Sequence, residues 1–202
     1  METRDTYQSI SSETKAVFRD KASKFIAFAI PVSDEDEVKH NLDRLRKEYY
    51  DANHHCYAFR LGIDGGVYRL NDDGEPSGSA GRPIFGQILS SEISDVLVVV
   101  VRYFGGTKLG VPGLIHAYKT VSREALDQAV IIEKTVLAHY EVRFPYGRIN
   151  DVMRILKDDG ITMENQEFDN NCTIHFRVRI SKAAMIKSRL TNINDLSIFI
   201  HT

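Results

Sequence analysis

Val96-Leu97-Val98-Val99-Val100-Val101-Arg102-Tyr103-Phe104-Gly105-Gly106-Thr107-Lys108-Leu109-Gly110 runs directly into an amphipathic stretch carrying Leu114, Ala117 and Tyr118. The leading apolar run is too β-branched to prefer a helix and far shorter than the roughly 20 residues that cross a bilayer, so it predicts a strand covered on both faces. The glycines that follow predict a turn. Leu114, Ala117, Tyr118, Val121, Ala125 and Ala129 then recur at helical spacing, predicting a helix over about 113–130. Arg102 and Lys108 stand where the chain leaves the core, next to a helix N-terminus whose first N–H groups have no intrahelical acceptor. Such a junction suits an anion or a partner surface.

Working outward, the 202 residues are 43% hydrophobic, which allows one large domain or two small ones. Met1-Glu2-Thr3-Arg4-Asp5 lacks the apolar core of a secretory signal, and the two cysteines, Cys56 and Cys172, lie in separate strand-like segments. A reduced, cytoplasmic protein with no membrane association is expected. The formal charge of -2 gives no overall drive toward nucleic acid. Residues 1–133 hold 16 basic and 20 acidic groups against 10 and 8 in residues 134–202, so any nucleic-acid contact is expected in the second part.

Periodicity divides the chain at the same place, predicting an α+β fold of two domains, 1–133 and 134–202. In the first, strands are expected over 13–19 and 23–31. A helix capped by Ser33, with Val38, Leu42 and Leu45 inward, should follow. Tyr57, Phe59 and Leu61 lead through Asp64-Gly65-Gly66 into Val67 to Leu70, a hairpin, and Pro83 opens a short helix bearing Ile84, Phe85, Ile88 and Leu89. In the second, Val136, Ala138, Tyr140, Val142 and Phe144 alternate with Leu137, His139, Glu141 and Arg143 as one strand. Ile149, Val152, Met153 and Leu156 then make a helix stopped by Gly160. A strand from Ile161, a turn at Asp169-Asn170-Asn171, a strand through Ile174 to Ile180, a helix capped by Ser181 and a last strand at Leu196, Ile198 and Ile200 complete the order β-α-β-β-α-β. That order is the ferredoxin-like split βαβ unit.

Two further segments carry chemistry. Asn71-Asp72-Asp73-Gly74-Glu75-Pro76-Ser77-Gly78-Ser79-Ala80-Gly81-Arg82-Pro83 cannot form a core; it is either a solvated acidic turn or an ordered functional loop stiffened by its prolines. Asp72, Asp73 and Glu75 are hard oxygen donors, but the calcium-loop spacing is not met, and neither metal nor cofactor is expected. Lys108 precedes the final glycine of its turn, which fits neither a P-loop nor a dinucleotide fingerprint. His54 and His55 are strand neighbours that point to opposite faces, so one at most lines a site. The candidate binding surface is Asp72, Asp73, Glu75, Arg82, Arg102, Tyr103, Phe104 and Lys108; no catalytic residue is identified. In the second domain the first and third strands should be adjacent, gathering His139, Arg143, His175, Arg177 and Arg179 on the helix-free face. Arg143, His175, Arg177 and Arg179 are the nucleic-acid candidates. Those strand positions carry no aromatic residue for base stacking, so phosphate contact rather than base reading is expected.

His54-His55-Cys56, Asp72 through Pro83 and Arg102-Tyr103-Phe104-Gly105-Gly106-x-Lys108-Leu109-Gly110, occurring in this order, resemble the YigZ/IMPACT family over about residues 14–130. The resemblance implies an N-terminal domain similar to the second domain of ribosomal protein S5 and a C-terminal domain similar to the last domain of elongation factor G. Both comparisons imply a place in translation. The eukaryotic members carry an additional N-terminal module and act without catalysis. This sequence departs from the family pattern at Pro112 and His116, where the loop loses a glycine and a permanent cation.

The first expectation is therefore a non-catalytic regulator associated with translation whose partner is the ribosome, structured RNA or a translation protein; no oligomeric state follows from the sequence. The alternative is an enzyme acting on a small anionic substrate, with Asp72, Asp73 or Glu75 as acid, base or Mg²⁺ ligand and Arg102 and Lys108 as anion clamps. An adaptor for protein alone, anchored by Tyr103 and Phe104, is a third possibility. Whether the two loops meet in a concave pocket separates the first two.

Overall fold

The computed structural model describes Asp5 to His201; Met1–Arg4, the opening of the segment that lacks a signal core, and Thr202 lie outside the described residues. The elements are β1 (Thr6–Ile10), β2 (Thr14–Asp20), β3 (Ser23–Pro31), α1 (Glu35–Glu48), β4 (His54–Leu61), β5 (Val67–Asn71), α2 (Gly81–Ser90), β6 (Val96–Tyr103), α3 (Gly110–Asp127) and β7 (Ile131–Thr135). There follow β8 (Leu137–Pro145), α4 (Ile149–Asp158), β9 (Met163–Glu167), β10 (Asn171–Arg179), α5 (Ile180–Thr191) and β11 (Ser197–His201). The chain forms two compact units. One is Tyr7–Lys134; the other joins residues 135–201 with Asp5 and Thr6, which group with the second unit rather than the first.

In the first unit a five-stranded sheet has the order β2-β3-β6-β4-β5 with antiparallel pairing throughout. β6 is central because its residues are apolar on both sides. Val96, Val98 and Val100 pack with Phe25, Cys56, Ile84 and Tyr118 beneath α2 and α3, while Leu97, Val99 and Val101 pack with Phe28, Phe59, Leu42 and Leu45 beneath α1. From Val96 to Val101 every residue is fully buried, and each such side chain contributes roughly 1.5–3 kcal/mol of transfer free energy.

Several boundaries differ from the sequence reading for local reasons. α1 is capped by Asp34, whose side chain accepts from the Glu37 N–H at 2.8 Å; Ser33 instead gives its backbone N–H to Glu37 Oε2 at 2.7 Å. α3 starts at Gly110, ahead of Pro112, since proline is tolerated in a first turn where its missing N–H has no acceptor to meet. β1 and β7, which pair as a two-stranded sheet, have no counterpart in the sequence pattern; they are short, and β7 alternates weakly with most residues exposed. Buried Asp95 ties this ribbon to the hairpin after β4, accepting from Tyr7 Oη, from Lys134 Nζ at 2.9 Å and from the Gly62 N–H at 2.9 Å.

The second unit has the element order β8-α4-β9-β10-α5-β11 and an antiparallel sheet ordered β11-β8-β10-β9. Its core holds Tyr140, Val142, Phe144, Ile174, Phe176 and Val178 from the sheet with Val152, Leu156, Ile186 and Leu190 from the helices. Ser181 does not cap α5. Its hydroxyl donates to Asp5 Oδ2 at 2.5 Å.

Candidate functional site

The acidic loop is wired into the first unit by its own carboxylates. Asp72 accepts three backbone N–H groups, from Gly78 at 2.8 Å, Ala80 at 3.0 Å and Gly81 at 2.8 Å, and so takes over the capping of α2, whose N-cap Ala80 has no side-chain acceptor. Burial alone would raise the Asp72 carboxyl; the three donors outweigh it and hold the group below its ordinary range. Asp73 Oδ2 accepts the His55 N–H at 2.6 Å, and the Asp73 carbonyl oxygen lies 2.8 Å from His54 Nδ1. Because a carbonyl only accepts, Nδ1 carries a proton, and Nε2 lies 3.8 Å from Glu75 Oε1.

Glu75 ends the wiring. Oε1 accepts from Arg102 Nη1 at 2.5 Å and from Tyr118 Oη at 2.8 Å, and both partners are buried with it. Arg102 is held between two rings, its Cζ 5.4 Å from the Phe25 centroid and 5.5 Å from that of Phe104. Cys56 Sγ donates to the Asp72 carbonyl at 3.0 Å and lies 3.3 Å from Tyr118 Oη. Burial pushes the Cys56 thiol and the Tyr118 phenol well up, so both are neutral hydrogen-bonding groups and Cys56 is no nucleophile near neutral pH.

Above this network lies a cavity of about 420 Å³ lined by Asn53, His54, Glu75, Pro76, Arg102, Phe104, Lys108, Leu109, Gly110, Val111 and Leu114. Of the predicted binding surface, Glu75, Arg102, Phe104 and Lys108 meet there. Tyr103 does not: as the strand neighbour of Arg102 it faces the other way, donating to Asp51 Oδ1 at 2.8 Å with Lys24 over its ring. Asp72 and Asp73 engage backbone rather than the cavity, and Arg82 is exposed on α2 outside it. The two histidines separate as strand geometry requires. His54 lines the cavity, while His55 is buried on the face of α1, where desolvation lowers its pKa. Two contributors escape sequence reasoning. Tyr118 lies in the apolar stripe of α3, where spacing marks it as core, and the strand pattern alone does not choose His54 over His55; the pairing of His54 with Arg102 across β4 and β6 does.

Asp72 makes the first unit sensitive to acid. A carboxylate held below its ordinary pKa stabilises the fold fully above about pH 4, and that contribution fades as pH falls through its folded-state value. Asp72→Asn is expected to flatten the acid limb of the stability curve and to lower stability at pH 7. Denaturant titrations from pH 7 to pH 3 check both, and parallel curves for the two proteins would contradict the assignment.

In the second unit β8 and β10 are adjacent, with Arg177 opposite His139, Thr173 opposite Arg143 and His175 opposite Glu141. The basic residues share a face, but they do not form a bare patch. Arg143 Nε is 2.5 Å from Glu141 Oε1, Arg177 pairs with Glu164, His139 lies 3.9 Å from the same Glu164, and Arg179 is 3.9 Å from Asp5. Phe199 of β11 also stands on this face, 5.0 Å beneath the Arg143 guanidinium, so an aromatic residue is present that the first and third strands do not supply. Exposed pairs of this kind are worth about 0–1 kcal/mol each and exchange readily for other anions.

No helix among the described residues is long and apolar enough to cross a membrane. The family model described as the Impact N-terminal domain matches residues 21–126. The chain is 30% identical over 174 residues to IMPACT family member YigZ of Escherichia coli (strain K12), covering 85% of each, and 31% identical over 149 residues to IMPACT family member YvyE of Bacillus subtilis (strain 168), covering 74% of this chain and 69% of that one. A crystal structure described as that of a hypothetical protein superposes with a TM-score of 0.74 at 27% identity, covering 98% of both chains. Spanning both units and carrying the loop and turn that build the cavity, this chain belongs to the IMPACT family.

Proposed function

We propose that this protein is a cytoplasmic, non-catalytic regulator acting in translation. The observation that carries the reading is the mutual engagement of the loop's charges: Asp72 and Asp73 hold backbone and Glu75 holds Arg102, which leaves Phe104 (44% exposed), Val111 (46%) and Ile115 (39%) as an apolar surface of the kind partners use. The sheet order β11-β8-β10-β9 supports a ferredoxin-like second domain, and family membership supports an S5-like first one. Each is proposed to fold by itself; limited proteolysis near Thr135, followed by circular dichroism of the fragment, checks this. The partner is the ribosome, structured RNA or a translation protein.

Ribosome co-sedimentation tests the reading. Binding is expected at low salt and should weaken as salt rises, since phosphate contacts release condensed counterions. Joint replacement of Arg177 and Arg179 by alanine should reduce the salt slope by about one unit for each phosphate no longer engaged. If nothing sediments with ribosomes, or sedimentation is unchanged by salt and by the double replacement, the reading fails.

One observation favours an enzyme instead: the two loops do converge on a concave cavity, in which His54 Nε2 lies 3.8 Å from Glu75 Oε1. Turnover of a small anionic metabolite, abolished by His54→Ala, would establish that reading.

A further inference from the structure

The cavity at the start of α3 has the features of a ligand site, which goes beyond the partner-binding reading although Phe104 and Val111 belong to both. Three independent observations converge on it. Arg102 is 5% exposed and lines the cavity, yet its Nε–H has no acceptor among the described residues. A buried donor left unmade costs roughly 1–3 kcal/mol, which a ligand acceptor would recover. The second observation is that α3, a helix of 18 residues, begins in the cavity wall without a side-chain cap and without an acidic residue in its first turn. The N–H groups of Gly110 and Val111 therefore keep their partial positive charge, and Pro112 adds no donor. The third is the local charge. Arg102 and Lys108 bring two cations, Glu75 one anion, and among the described residues Lys108 has no ion pair. One negative charge completes the balance.

The geometry points to a small monoanionic carboxylate carried on an apolar body. The carboxylate sits between Arg102 Nε, Lys108 and the first N–H groups of α3, and the body rests against Phe104, Leu109 and Leu114. A doubly charged phosphate would face the Glu75 carboxylate with one charge uncompensated, and the apolar wall would give it nothing to pack against. A free carboxylic acid and the C-terminal residue of a peptide present the same chemistry.

Two-dimensional NMR of the full-length protein distinguishes these cases. Titration with 4-methylpentanoate should give saturable shifts at Arg102 Nε–H and at the amides of Gly110 and Val111, whereas 4-methylpentanamide and inorganic phosphate should give at least tenfold weaker binding. Lys108→Gln, an exposed position that leaves the core intact, should weaken the carboxylate by roughly fivefold. A tetrapeptide ending in leucine, compared with its C-terminal amide, identifies the source: tighter binding of the peptide acid than of 4-methylpentanoate assigns a chain terminus, and weaker binding a free acid. Equal binding of acid and amide, preference for phosphate, or no saturable shift at millimolar ligand overturns the assignment. Ribosome co-sedimentation is unaffected by any of these results, so the two readings fail separately.

Discussion

Replacing Glu75 by alanine is expected to destabilise the first unit by about 3–5 kcal/mol, the largest loss foreseen for any single side chain of the loop. The reason is what remains behind. Arg102, 6% exposed at its side chain, would keep its charge with Glu75 gone, and the Tyr118 hydroxyl would lose its 2.8 Å acceptor. Both groups are buried, and Arg102 lies against the rings of Phe25 and Phe104. Glu75→Gln, which keeps an acceptor oxygen but not the charge, should cost less. Pairing Glu75→Ala with Arg102→Met should recover part of the loss, because a buried ion pair is often replaceable by apolar volume although neither half is dispensable. Urea unfolding followed by circular dichroism gives the three values; a loss below about 1 kcal/mol for Glu75→Ala would contradict a buried, desolvated pair.

Gly105→Ala is expected to cost about 3 kcal/mol or more and to deform the cavity as well. A Cβ there would lie 2.1 Å from the Ala22 carbonyl carbon and 2.4 Å from the Ser23 nitrogen, and since these are backbone atoms no rotamer change relieves the overlap. The segment it meets has no slack. Lys21 and Ala22 form the two-residue turn between β2 and β3 with φ of 44° and 65°, a left-handed conformation already unfavourable for residues with a Cβ. The chain would have to move at Gly105, breaking the hydrogen bond from its N–H to Ser23 Oγ at 3.2 Å and the one from the Phe104 N–H to Asn53 Oδ1 at 2.7 Å. Phe104 and Asn53 both line the cavity, so amide shifts at Arg102, Phe104 and Leu109 in the variant's NMR spectrum should accompany a lowered melting temperature. An alanine variant of wild-type stability would show that the approach of Gly105 to the turn is not required.

What the sequence determined by itself is the set of elements with strong period. The run Val96 to Val101 could only be a strand buried on both faces, and the placement of α1, α2 and α3, the β4–β5 hairpin, and β8, α4, β10, α5 and β11 of the second unit follows from apolar spacing. Local spacing also separated His54 from His55, because adjacent strand residues face opposite ways whatever the fold. The ribbon of β1 and β7 was not legible, since both strands are five residues long, β7 is mostly exposed, and their hydrogen bonds join residues more than a hundred positions apart. Nor was the cap of α1, where Ser33 and Asp34 are both good N-caps and only the backbone angle at Asp34 decides. For the site, sequence set the acidic loop and the glycine turn on one candidate surface through their opposite charges, but whether those charges face solvent or one another is a tertiary matter. It depends on the sheet order, which lays Arg102 beside His54 and brings Tyr118 from α3 to the same network. The same holds for the second unit: alternation placed Arg143, Arg177 and Arg179 on one face, while register across the sheet put Glu141, Glu164 and Phe199 among them. Periodicity is written in neighbouring residues and survives without a fold, whereas ion pairing depends on distances of a few ångströms between side chains that only the folded sheet brings together.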